Sequence, residues 1–175
     1  TLSSTNKLLK QYQWTTGLKT GSTNAAKYCF SATASKDGID LIAVIMGAPD
    51  FKIRFSESRR LLEYGFALTR LYVDENKEPL GDILVTGGKA DQLGVEPKGI
   101  FRYLDTTGAD FSQIQKKYLY VDNVTAPVEK GTEVGYISYS LGGTELGRTP
   151  IVASEAVEKA YFIDYLKKIL IKYLI

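Results

Sequence analysis

The spacing of apolar positions changes several times along the chain, and each change predicts a new element. Residues 2–9 predict a short helix, capped by Ser3 or Ser4, with Leu8 and Leu9 facing inward. Residues 14–21 show no period and predict a loop leading into a strand. Residues 28–34 alternate and run into Lys36-Asp37-Gly38, a turn signal. Residues 39–46 form a nearly continuous apolar run, which predicts a strand buried on both faces. These two runs together predict a hairpin in the middle of a sheet. After the break at Gly47-Ala48-Pro49-Asp50 the spacing turns helical from about Phe51 to about Leu71, through Phe55, Leu61, Leu62, Tyr64, Phe66 and Leu68.

Around Tyr72 the texture changes again. Residues 72–79 hold the charged run Asp74, Glu75, Asn76, Lys77, Glu78 and read as a linker. From there to about Ala153 the helical period is lost, and strands are predicted at 82–86, 99–104, 117–121, 133–141 and 144–152. Gly142-Gly143 suits a two-residue hairpin turn. Ile137, Tyr139 and Leu141 share one face of their strand. A small all-β domain of sandwich type follows from this pattern. Its aromatic residues Phe101, Tyr103, Tyr118 and Tyr120 are expected in the core rather than on a ligand platform. Residues 160–175 return to helical spacing. Tyr161, Phe162, Tyr165, Leu166, Ile169, Leu170, Tyr173 and Leu174 make a wide apolar face, opposite Asp164, Lys167, Lys168 and Lys172.

Composition narrows the chemistry. The 175 residues are 44% hydrophobic and 24% charged, the balance of a folded body. A net charge of +2 with no dense basic run before the C-terminus gives no footprint for nucleic acid. The sequence contains no histidine, which removes Ser-His-Asp and Cys-His catalysis and His-ligated metals. Acid–base work is left to Lys, Asp, Glu or Tyr. The single cysteine, Cys29, allows no internal disulfide and no Cys-based zinc site, and is expected to be a buried structural thiol. The chain starts at Thr1 with neither a methionine nor a signal peptide, so its start is read as a cut. No run of 18 apolar residues predicts an orthodox transmembrane helix.

One short motif carries chemistry: Lys19-Thr20-Gly21 within Gly17–Gly21. Lys-Thr-Gly on a strand edge is the third element of the penicillin-recognising serine enzymes. A lysine places a mobile positive charge beside a serine nucleophile. A threonine offers a hydroxyl to a substrate carboxylate. A glycine leaves the strand open to a pairing peptide. Taken alone, the tripeptide is equally compatible with an exposed turn.

Its surroundings add to it. Asn6, Leu8-Leu9, Trp14, the run from Gly17 to Thr23, Ala25-Ala26 and Ser31-Ala32-Thr33-Ala34 are followed by Leu41-Ile42-Ala43-Val44 and Met46-Gly47-Ala48. Arg54, Glu57-Ser58, Leu61-Leu62 and Tyr64-Gly65-Phe66 come next, then Ala126-Pro127-Val128, Lys130-Gly131, Gly135 and 149–153. In this order the sequence resembles the serine-type D-alanyl-D-alanine carboxypeptidase family, the low-molecular-weight penicillin-binding proteins.

The resemblance implies an α+β fold. A partial β-lactamase/DD-peptidase-like sheet-and-helix domain (1–71) would precede a β-sandwich domain (72–153) and an amphipathic membrane-anchor helix (154–175). It implies Lys19 at the acyl-transfer site, Thr20 on the terminal carboxylate and Gly21 keeping the strand open. Ser22, where many relatives carry histidine, would lend its N–H to the oxyanion hole. Arg54 would lie near the carboxylate pocket, a role that competes with a surface salt bridge. The implied reaction is removal of the terminal D-Ala from peptidoglycan stem peptides through an acyl-enzyme, without a cofactor. β-Lactam antibiotics would be alternative ligands. The nucleophile and general base are expected upstream, so this chain alone is expected to be inactive. Ser4 and Lys7 spell S-x-x-K, and Ser4-Thr5-Asn6 and Ser22-Thr23-Asn24 spell S-x-N, but these matches are read as accidental.

The C-terminal helix is expected at a membrane surface through Phe162, Tyr165, Leu166, Lys167, Lys168, Ile169, Lys172 and Tyr173. With the resemblance, this implies a protein outside the cytoplasm, on the outer face of the bacterial membrane. Packing of this helix on its own β-domain, or on another chain, is the competing reading. For the whole chain, the competing readings are a β-lactamase or transpeptidase with the same motif, and a non-catalytic cell-wall or membrane-positioning module.

Overall fold

The computed structural model describes residues 3–174, with side chains to residue 171. The chain divides into two compact units. The first runs to Leu71 and takes in Leu104–Ala109; the second comprises Tyr72–Tyr103 and the residues from Asp110 onward.

In the first unit a short helix α1 (Leu8–Gln11) precedes strands β1 (Thr15–Thr23), β2 (Lys27–Lys36) and β3 (Ile39–Ala48), then helix α2 (Ile53–Leu68). The strands form an antiparallel sheet in the order β1-β2-β3. α2 covers one face. Its Phe55, Ser58 and Leu62, one turn apart or nearly so, are buried against Phe30, Ala32, Ala34 and Ala43. Phe30 and Phe55 meet edge to face at 5.1 Å. Leu8 and Tyr12 close the same core.

Several expectations change here. β1 includes most of the predicted loop: its Gly, Thr and Lys residues have little strand preference, and backbone pairing to β2 along its whole length supplies what the side chains do not. β3 is an edge strand buried on one face only, not on two, because α2 lies on one side of the sheet. Ile42, Val44 and Met46 are 71%, 58% and 79% exposed. Helix α1 starts later than predicted, and Leu9 points outward. Ser4 and Asn6 act in its first turn: Asn6 N donates to Ser4 Oγ, and Leu8 N donates to Asn6 Oδ1. Leu2 lies outside the described residues. Cys29 is half-buried, with its Sγ 3.3 Å from the Ala26 carbonyl oxygen.

After β4 (Arg70–Asp74), which takes up the first part of the predicted linker, come the short strands β5 (Ile83–Leu84), β6 (Gln92–Leu93), β7 (Val95–Pro97) and β8 (Phe101–Asp105). Then follow β9 (Gln115–Tyr120), β10 (Glu133–Leu141), β11 (Thr144–Ala153) and helix α3 (Phe162–Leu174). The main sheet has the order β7-β11-β10-β9; β4 pairs with β8, and β5 with β6. The mixed, mostly β architecture is the one expected.

The β10–β11 hairpin turns at Gly142-Gly143, with φ of 57° and 83°, a conformation that favours glycine at both positions. Gly135 is required for another reason: a Cβ there would sit 2.3 Å from the Leu119 carbonyl oxygen. Leu93, Val134, Ile137, Tyr139 and Ile151 form the core of this unit, and Phe101 stacks flat on Tyr139 at 3.7 Å. Tyr118 and Tyr120, expected in the core, lie on the edge strand β9 and remain 39% and 40% exposed.

The Tyr139 hydroxyl reaches the surface of this core through a polar cluster. It donates to Asn76 Oδ1 at 2.7 Å and lies 3.1 Å from Asp74 Oδ2, which also receives Lys116 Nζ at 2.5 Å. Burial pushes the Tyr139 phenol up to about 12. For Asp74, burial works upward, but Lys116, the Asn76 N–H and Tyr139 outweigh it and hold the carboxyl below its ordinary value.

Candidate functional site

Because β1 is the outer strand of its sheet, one backbone edge is free of a strand partner among the described residues. The motif occupies the middle of that strand. Lys19 pairs with Ser31, Thr20 with Phe30, Gly21 with Cys29 and Ser22 with Tyr28. Strand alternation sends Lys19 and Gly21 to one face, and Thr20 and Ser22 to the other.

Lys19 lies on the face opposite the Phe30 core, in the row Lys19–Ser31–Val44. Its Nζ donates to the Thr20 carbonyl oxygen at 2.6 Å. The lysine is exposed and carries its charge at the strand edge. A Cβ built on Gly21 meets nothing within 4 Å, so no described residue crowds the strand there. Ser22 is exposed and lines a shallow pocket of about 300 Å³ with Thr23, Asn24, Lys27 and Tyr28.

Thr20 is 8% exposed, and its hydroxyl lies 2.9 Å from that of Thr5. On the same side Arg54 rises from α2. Its Nη1 donates to the Gly21 carbonyl oxygen at 3.4 Å, and its guanidinium lies over the rings of Phe55 and Tyr28 at 4.8 and 5.5 Å. Arg54 is 9% exposed and its Nε has no hydrogen-bond partner among the described residues, so it is not a surface salt bridge. The fold thus brings Thr20, Gly21 and Arg54 together across 33 residues of chain. Lys19 stands on the other face of the same strand. Sequence reasoning missed Thr5 and Tyr28. Tyr28 reads only as the first residue of an alternating strand, and Thr5 only as the middle of an S-x-N match taken as accidental. The β1–β2 register sets Tyr28 beside Ser22, under the Arg54 guanidinium, and the segment before α1 brings Thr5 to Thr20.

At the C-terminus α3 lies with its polar stripe on the β-domain. Lys168 Nζ donates to the Gly88 carbonyl oxygen at 2.9 Å and pairs with the Asp91 carboxylate. Asp164 Oδ2 accepts from Tyr161 N at 2.9 Å in the first turn. Phe162, Leu166 and Ile169 are exposed, as is Lys167, while the partly exposed Tyr165 turns its hydroxyl toward Gly87 of the β-domain. The side chains of Lys172 and Tyr173 lie outside the described residues. Among the described residues no helix is long and apolar enough to cross a membrane.

Comparison with known proteins defines the class. Residues 1–50 match the family model described as D-alanyl-D-alanine carboxypeptidase, and residues 67–159 match that of the penicillin-binding protein 5 C-terminal domain. The chain belongs to this family of low-molecular-weight penicillin-binding proteins. It is 32% identical to the D-alanyl-D-alanine carboxypeptidase DacF of Bacillus subtilis over 95% of its own length and 43% of the relative's. Against DacA of Escherichia coli the identity is 31%, over 86% of this chain and 39% of the relative. Penicillin-binding protein 5 from Haemophilus influenzae superimposes with a TM-score of 0.67 at 27% identity, covering 87% of this chain and 45% of that one. The chain therefore spans less than half the length of the curated relatives it matches.

Proposed function

We propose that this chain forms one wall of the active site of a serine-type D-alanyl-D-alanine carboxypeptidase, together with the β-domain and membrane-facing helix that follow it. The observation that carries the reading is the Lys19-Thr20-Gly21 motif on a free sheet edge, within the segment matched by the carboxypeptidase family. Lys19 places a cation beside the serine supplied by the rest of the enzyme and eases proton transfer to and from it. Thr20 and Arg54 lie on one side of the strand, where a hydroxyl and a guanidinium suit the terminal carboxylate of a D-Ala-D-Ala peptide. Gly21 lets the peptide approach, and the backbone N–H of Ser22 serves the oxyanion.

The reaction proceeds in two steps. The serine oxygen attacks the carbonyl of the penultimate D-Ala, the peptide bond breaks, and the terminal D-Ala leaves with the proton. Water then cleaves the ester and restores the serine. A β-lactam acylates the same serine. The outward apolar face of α3, with Lys167 beside it, suits the interface of an anionic membrane on the extracytoplasmic side.

The test uses the protein in which this chain is joined to its serine-bearing segment. Labelled penicillin should acylate it, and Lys19→Ala should lower the acylation rate by at least about a hundredfold, the scale of positioned proton-transfer groups. Equal labelling of the two proteins would remove Lys19 from the site. Flotation with anionic vesicles tests the helix, and failure to float would overturn the membrane assignment.

A further inference from the structure

The hydroxyl of Thr20 is not free. Its partner is Thr5, 15 residues earlier, at 2.9 Å between the two oxygens. Thr5 is exposed, but the residues around it are fixed. Asn6 N donates to Ser4 Oγ at 3.2 Å, Leu8 N donates to Asn6 Oδ1 at 3.0 Å, and Asn6 and Leu8 are 6% and 0% exposed. A surface hydroxyl is thus held in one place by a turn whose next residues are packed into the core.

Each threonine hydroxyl has one proton to give. If Thr20 gave its proton to Thr5, it would show only lone pairs to an incoming anion, an unfavourable contact with a carboxylate. If Thr5 donates instead, the Thr20 proton remains available, and the bond also fixes the direction in which it points. We infer that Thr5 is a positioning residue: it donates to Thr20 Oγ1 and so orients the Thr20 hydroxyl as donor to the substrate's terminal carboxylate. This rests on the carboxypeptidase reading above and extends it to a residue outside the motif. A carboxylate bound at Thr20 would reinforce the arrangement, because donation to an anion polarises the hydroxyl and makes its oxygen a better acceptor for Thr5.

The experiment measures labelled-penicillin acylation and peptide hydrolysis by the protein carrying its serine-bearing segment. Thr5→Val keeps the shape and removes the hydroxyl; Thr5→Ser keeps the hydroxyl. Thr5→Val should raise KM for a D-Ala-D-Ala peptide by about three- to tenfold, the scale of one hydrogen bond, and change kcat by less than about twofold. Thr5→Ser should restore KM to within about twofold of wild type. A peptide with its terminal carboxylate replaced by an amide should respond little to Thr5→Val, and in a Thr20→Val background Thr5→Val should add nothing.

The inference is overturned if Thr5→Val matches wild type, if the amide loses as much as the acid, or if the two substitutions add. It is also overturned if Thr5→Ser fares no better than Thr5→Val. A folded wild type that penicillin does not label would overturn the carboxypeptidase reading and this inference with it. A labelled wild type with an unaffected Thr5→Val overturns the inference alone. Should Thr5→Val fail to fold, Thr5→Ala replaces it, with Thr5→Ser as the control.

Discussion

The two sheets obey the same alternation and end differently. In the β10–β11 hairpin the inward residues Ile137 and Ile151 are buried, and the outward positions opposite them carry Ser138 and Arg148, which water can solvate. In β3 the inward residues Ile39, Ala43 and Ala48 are buried, but the outward ones are Ile42, Val44 and Met46. The hairpin is therefore polar at those outward positions. The motif-bearing sheet shows water an apolar surface on the face from which Lys19 projects. Apolar exposure of this kind marks a surface used for contact, whereas the β-domain hairpin satisfies itself.

That contrast can be broken most severely at a buried position. Ile137→Ala should destabilise the β-domain by about 2–5 kcal/mol, the usual range for emptying a packed aliphatic site. Chemical denaturation would show it as a lowered midpoint, and a change under about 0.5 kcal/mol would mean the site is not packed as described.

A smaller effect lies in the acid response of the same domain. Asp74 has its carboxyl lowered in the folded state, so the stability it contributes is present above the unfolded value of about 3.9 and is lost as pH falls through the folded one. Asp105, which belongs to the first unit, acts in the same direction there: the Thr107 hydroxyl, then the backbone N–H groups of 107–109, hold its carboxyl below the ordinary value. Denaturation midpoints at about pH 6 and about pH 3 should therefore fall less for Asp74→Asn than for the unsubstituted protein. An equal fall in both would remove Asp74 from the account.

The smallest effect is expected on the open face of the first sheet. Val44→Ser, at a position 58% exposed, should change stability by less than about 0.5 kcal/mol. A loss above about 2 kcal/mol would show that this face is covered in solution and would erase the difference between the sheets.

What the sequence disclosed follows the same division. The β10 strand was legible to its end residues, because strict alternation meets a Gly-Gly turn there and nothing else competes. Both long helices were legible from their period, with ends shifted by a few residues. In the site, Lys19, Thr20 and Gly21 could be read as a motif, and Arg54 from the resemblance. β1 itself was not legible as a strand, since its pairing with β2 is a property of two segments and not of either. The apolar run of β3 shows that the strand can be buried on two faces, but burial depends on what lies over it. Thr5 gave no signal because its significance is a single contact with a residue 15 positions away.

The inverted seating of α3 has a thermodynamic consequence. A helix lying on its own protein is usually held by apolar contact, whereas this one meets the β-domain through Lys168, the Asp91 carboxylate and a carbonyl oxygen. Dissolved salt acts oppositely on its two sides. Ions screen the charge pairing on the inner side, while strongly hydrated salts such as sulfate strengthen any apolar contact made by Phe162, Leu166 and Ile169 on the outer side. The same change of solvent that loosens the helix from its domain would strengthen any apolar contact its outer side makes.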